Sequence, residues 1–223
     1  MSKESSHRGD TIENTYTDLG ATTKEAFEIS EKSRKLARAT IGNSTPEDRI
    51  RQRCSVAVGD FSMANLIRFR CGPVQAGLDA LAAGALVITD IRMVQVGIQK
   101  KGHRSEVSCA LDFDDGAKEQ GITRTSKGFL NMGDKVNGAV IVIGNAPSAL
   151  LTVCRMIREG HTPSLVIGTP VGFVNAAESK ELLRTIDIPS VSTEGPRGGT
   201  PVAVAAINEI ITMYAEQQDR KKS

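Results

Sequence analysis

Residues 139–167 constrain the fold more than any other stretch. Residues 139–143 form an unbroken apolar run rich in Val and Ile, the signature of a strand covered on both faces. The run breaks at Gly144-Asn145-Ala146-Pro147, where Asn145 is a favoured helix N-cap and Pro147 suits a first helical turn. Leu150, Val153, Cys154 and Ile157 then recur at helical spacing until Gly160, and residues 165–167 read as a second buried strand. Strand, helix and strand in that order predict a parallel crossover, in which ligands bind outside the carboxyl ends of the strands. Asn145 and the loop 169–175 both fall at that edge.

The alternation continues on either side. Residues 85–88, 106–111 and 188–192 read as further strands. Thr22 and Glu25 make a capping-box pattern, and Ala26, Ile29, Ser33 and Leu36 share one helical stripe expected to face the core. Thr45-Pro46 opens a second helix, with Ile50, Cys54, Ala57 and Val58 on its core face and Arg49, Arg53 and Val56 on the stripe beside it. Arg53 and Val56 are therefore surface neighbours. Val74, Leu78, Leu81 and Ala82 mark a third helix ended by Gly84. Thr200 is read as the cap of a closing helix whose Ala203, Ala206, Ile207, Ile210 and Met213 face inward. Residues 60–69, DFSMANLIRF, have no clear period and are assigned no state. The expectation is a single three-layer α/β/α domain over residues 22–216, with a mostly parallel sheet of about five strands. A flexible polar extension, 1–21, precedes it, and a charged tail, 217–223, follows.

Composition excludes several function classes. With 28 basic and 26 acidic residues the net charge is +2, which is no footprint for nucleic acid. There is no G-x-G-x-x-G or G-x-x-x-x-G-K-[ST] run, so no dinucleotide or nucleoside triphosphate site is expected. The four cysteines have no metal-ligand or CxxC spacing and are expected to be reduced thiols. No apolar run approaches the roughly 20 residues of a membrane span, and the first residues lack a signal-peptide core, so a cytoplasmic location away from membranes is expected.

Three segments carry a family resemblance: IGNAPSAL at 143–150, IGTPVGFVNAAESK at 167–180 and RGGTPVAVAAIN at 197–208. Their order and spacing resemble the precorrin-8X methylmutase (precorrin isomerase) family of cobalamin biosynthesis. TDIRMVQVGI at 89–98 is similar too, and the resemblance covers about residues 24–208. It implies an isomerase that moves a methyl group from C11 to C12 of precorrin-8X or cobalt-precorrin-8, yielding hydrogenobyrinic or cobyrinic acid, with no cofactor. It also implies a homodimer with pockets near the subunit interface. The family's pocket Ser falls on Ser33, and its T-R-S segment falls on Thr123, Arg124 and Thr125. Its Arg and catalytic His, aligned through Gly59-Asp60-Phe61, fall on Arg53 and Val56. Val has no titratable proton, so His103, in the basic run 100–104, is the candidate replacement acid. Thr89 and Asn145, at strand ends, complete the expected substrate contacts. Asp90 is expected to hold a loop or an Arg instead of a polyanionic ligand. A corrinoid-binding protein without turnover, or an α/β enzyme acting on another carboxylated small molecule, are the competing readings.

Overall fold

The computed structural model describes residues 23–221, so the expected extension, the Thr22 cap and the last two residues lie outside the described part. The sheet has six strands in the order β1-β6-β5-β4-β2-β3. Five of them, β2 (Val87–Thr89), β3 (Val107–Cys109), β4 (Val140–Ile143), β5 (Leu165–Gly168) and β6 (Ser190–Thr193), are parallel neighbours, as the apolar runs predict. The sixth, β1 (Ile67–Arg70), pairs antiparallel with β6 at one edge. It lies inside the stretch left without an assignment. There, residues 61–66 form a 3-10 turn, and only IRFR retains the alternation of a strand, too short a signal to separate from its flank.

Helices cover both faces. On one side α2 (Pro46–Val58), α3 (Pro73–Ala82), α4 (Arg92–Gly97) and the long α8 (Thr200–Arg220) pack against the sheet, with Ile50, Leu78, Val94 and Ile207 in the shared core. On the other side α5 (Arg124–Met132), α6 (Pro147–Arg158) and α7 (Ala176–Arg184) bury Phe129, Leu150 and Leu183. The first helix, α1 (Lys24–Ile41), lies outside the first of these layers, against α2. Because α8 runs to Arg220, residues 217–220 of the expected tail are helical. Among the described residues no helix is long and apolar enough to cross a membrane.

Three local expectations are corrected. Thr23 caps α1, its hydroxyl accepting the Ala26 amide at 3.2 Å. Gly199, with φ 109°, precedes the first turn of α8, so Thr200 is a helical residue and not the cap. The stripe of α1 is rotated. Ile29 and Leu36 are 59% and 62% exposed, while Arg34 and Ala37 are buried, because the Arg34 side chain reaches inward to Glu209.

The second helix layer is fitted closely to the turn that follows β3. A Cβ placed on Gly128 of α5 would lie 1.9 Å from the carbonyl oxygen of Ala110, a backbone atom that cannot yield without moving the turn. Gly128→Ala is expected to destabilise the fold by on the order of 1 to 3 kcal/mol despite its better helix propensity. Thermal unfolding of the variant should show a melting temperature several degrees below wild type; an unchanged or raised value would refute the close contact.

Candidate active site

The strand order changes direction between β2 and β4, which makes the gap at their carboxyl ends the natural crevice. Asp90, the residue after β2, stands at this edge. Its buried carboxylate accepts the amides of Gly144 at 3.2 Å and of Asn145 and Ala146 at 2.8 Å. Burial raises its pKa, against the lowering effect of those same amides. Asp90 thus holds the loop that opens α6, as expected of it. The same bonds correct the cap read at Asn145. The cap position is Ala146, and the amides of Gly144, Asn145 and Ala146 are taken by Asp90. Thr89 is also turned inward, fully buried, with its hydroxyl donating to the carbonyls of Ser108 at 3.3 Å and Ile91 at 3.4 Å.

Ser33, Arg53 and Val56 do come together. With Ala26, Ile29, Ser30 and Arg34 they line a groove of about 450 Å³ between α1 and α2, mostly apolar in character. Val56 is 40% exposed there and contributes no proton. Beneath the groove lies a carboxylate that the sequence reading did not single out, Glu209 of α8, with no exposed surface. It accepts from Arg34 Nη2 at 2.6 Å, Arg49 Nε at 2.8 Å and Arg53 Nη1 at 3.1 Å. Burial alone would push Glu209 upward, but the three guanidinium groups outweigh it and hold its pKa below the ordinary value. Arg53 also donates to the Asn208 carbonyl, Thr212 Oγ1 and Gln99 Oε1, at 3.0 to 3.2 Å. Its fork is therefore engaged within the protein and is held rigidly at the groove wall. The sequence signal for Glu209 was available: an acid inside the apolar stripe of α8 must find cations.

His103 is spent on its own loop. Nε2 lies 2.6 Å from the Gln99 carbonyl, an acceptor, and Nδ1 lies 3.1 Å from the Ser105 amide, a donor. Those partners assign a neutral ring with the proton on Nε2, and both nitrogens are used. It lines a different pocket, with Leu81, Arg104 and Tyr214, and so does not stand where a replacement acid was expected.

The remaining site candidates belong to the opposite layer. Thr123 caps α5, and its hydroxyl meets those of Ser126 at 2.8 Å, Ser148 at 2.9 Å and Thr125 at 3.3 Å. Thr125 is buried in this hydroxyl cluster, whereas Arg124 is exposed and paired with Asp114. One layer therefore holds Ser33, Arg53 and Val56 and the other holds Arg124 and Thr125, with the sheet between them. Among the described residues no cluster of His, Cys, Asp and Glu could hold a metal ion.

A profile of the precorrin-8X methylmutase family matches residues 28–213. The chain belongs to that family. Among its relatives in the family, the cobalt-precorrin-8 methylmutase of Methanocaldococcus jannaschii is 38% identical, with 90% of this chain and 99% of the relative aligned. The cobalamin biosynthesis protein CbiHC of Archaeoglobus fulgidus is 37% identical over 90% of this chain, which spans only 42% of that longer protein. The crystal structure of the precorrin-8X methylmutase from Thermus thermophilus superposes with a TM-score of 0.78 at 34% identity, covering 85% of this chain and 98% of that one. The methylmutase family thus accounts for the α/β architecture and for the three segments read from the sequence.

One of those segments ends in Lys180, which is fully buried on α7. Its Nζ donates to Thr193 Oγ1 at 3.0 Å and to the Arg197 carbonyl at 2.8 Å, with no ion-pair carboxylate among the described residues. Burial, then the charge of Arg184, lowers its pKa from 10.5 to about 8. A lysine with a depressed folded pKa costs stability while it is charged in the fold, and this cost is relieved as pH rises from about 8 towards 10.5. The melting temperature of wild type relative to Lys180→Met should therefore shift in favour of wild type between pH 7.5 and 10. A difference that stays constant over that range would show that Lys180 titrates normally.

Proposed function

We propose that this chain is an isomerase of cobalamin biosynthesis that moves a methyl group from C11 to C12 of cobalt-precorrin-8 or precorrin-8X. The observation that carries the reading is the family match over residues 28–213. Relatives named for this reaction align along nearly their whole length. An intramolecular methyl shift requires no cofactor, nucleophile or leaving group, so the protein's contribution is to position one tautomer of the ring and stabilise charge as it moves. The apolar groove at Val56 suits the edge of a flat macrocycle, and the rigid Arg53 at its wall supplies fixed positive charge. Arg124, exposed at the start of α5, suits a carboxylate arm.

The functional unit in this reading is a homodimer with pockets near the subunit interface. Its support is the apolar surface that one chain leaves uncovered: Ile29 and Leu36 on α1, Met93 and Val96 on α4, and Phe173, which is 97% exposed. Buried Cys54, Cys109 and Cys154 and the unpaired Cys71 are consistent with a cytoplasmic setting.

Val56 favours a second reading, a corrinoid-binding protein that has lost turnover, and the two are separable. Wild-type protein mixed with precorrin-8X or cobalt-precorrin-8 is expected to give the product spectrum slowly. Val56→His, placed on the same wall as Arg53, should accelerate it about 100-fold to 10,000-fold near neutral pH with little change in binding. Product binding without any turnover in wild type would favour the second reading, and absence of both binding and turnover would defeat the first and second alike.

A further inference from the structure

Two exposed arginines at the carboxyl edge face one acidic turn. Arg92 opens α4 two residues after Asp90, and Arg124 opens α5. Arg92 Nη2 pairs with Asp112 and Arg124 Nε pairs with Asp114, while Gln95 Oε1 steadies Arg92 Nη1 at 2.8 Å. Both aspartates come from one short segment, the 3-10 turn 110–113 and the residue after it, which hangs from edge strand β3. That segment is itself held, because Asn131 Nδ2 of α5 donates to the carbonyls of Phe113 at 2.8 Å and Asp115 at 3.2 Å. Two carboxylates at a two-residue spacing are thus presented to two guanidinium groups whose side chains remain 58% and 66% exposed.

Arrangements of this kind exchange easily. An exposed ion pair contributes little, and each arginine carries five donors, of which its aspartate takes few. A free carboxylate that can approach in the bidentate geometry is a competent competitor. We propose that Arg92 and Arg124 form a paired carboxylate receptor, and that Asp112 and Asp114 occupy it as an internal stand-in which a polycarboxylated ligand displaces. The proposal rests on the functional reading above, since the carboxylated macrocycle of that reading supplies the two carboxylates. It adds Arg92, which the sequence comparison with the family did not mark, and it makes the 110–114 segment a brake on binding and not only a structural connection.

The purified full chain is titrated with hydrogenobyrinic acid, following its visible spectrum. Displacing two exposed pairs should cost the ligand about 2- to 30-fold in affinity, so Asp112→Asn combined with Asp114→Asn should tighten binding by that factor. Arg92→Gln should weaken it. Asp115→Asn adds one positive unit beside the same turn but removes neither pair, and should change affinity little. A double variant that binds no more tightly than Asp115→Asn would reduce the effect to general charge and overturn the proposal. A second readout needs no ligand: the rate at which phenylglyoxal modifies Arg92 and Arg124, followed by peptide mass, should rise in the double variant but not in Asp115→Asn. Unchanged rates would overturn the pairing by themselves. Failure of every form to bind hydrogenobyrinic acid would remove the functional reading, and the receptor would then stand or fall on the modification rates.

Discussion

Glu209 is the interaction on which the first helix layer depends. A carboxylate with no exposed surface accepts from arginines on two other helices, Arg34 of α1 and Arg49 and Arg53 of α2, and α8 carries it in the centre. Each buried charge costs several kcal/mol of desolvation, which is offset only when the remaining donors and acceptors are matched. Here they are matched in a chain that continues through Arg49 to Glu216 and through Arg53 to Thr212 and Gln99. The geometric result is specific. Drawing Arg34 inward turns α1 so that Ile29 and Leu36 face outward, and it opens the groove between α1 and α2 beside Val56.

Much of this was legible in the sequence, and the misses have physical causes. Buried parallel strands are apolar without interruption, so β2 to β6 announced themselves, and Gly160 and Pro147 bounded α6. The short antiparallel β1 was lost because four residues of alternation cannot be distinguished from the apolar turn before them. Position along a helix was readable, but facing was not. Hydrophobicity alone put Ile29 and Leu36 inward, whereas a salt-bridge partner 175 residues away decided the matter. The same limit applies to Asn145. Its local pattern is that of a cap, yet the acceptor that satisfies the helix start comes from Asp90, just after another strand. Long-range polar pairing is invisible to periodicity, and at this site it decides which donors remain for a ligand.

At the carboxyl edge where an open α/β sheet normally receives its ligand, the amides of Gly144, Asn145 and Ala146 are therefore satisfied by the protein's own carboxylate. In the proposed reading, recognition uses the groove between α1 and α2 and the exposed arginines at the helix starts. The groove borders Ile29 and Val56, which one chain leaves exposed. A flat macrocycle with charged arms on its rim needs an apolar wall and peripheral cations together. Pairing two copies offers a direct way to cover the apolar surface, and a second chain is also a source of walls that one chain lacks.

Val56 then decides what the groove can do. In the proposed reading, a histidine there would provide a proton donor of suitable pKa, and valine forgoes the part of the rate that depends on proton transfer. It does not remove Arg53, which is fixed by four partners, nor the shape of the groove. Preorganised charge and orientation act on any rearrangement whose charge shifts in the transition state, with or without an acid. An intramolecular migration is the kind of reaction in which those terms survive the loss of a single proton donor. In the proposed reading, valine at this position forgoes proton transfer while Arg53 and the groove stay in place.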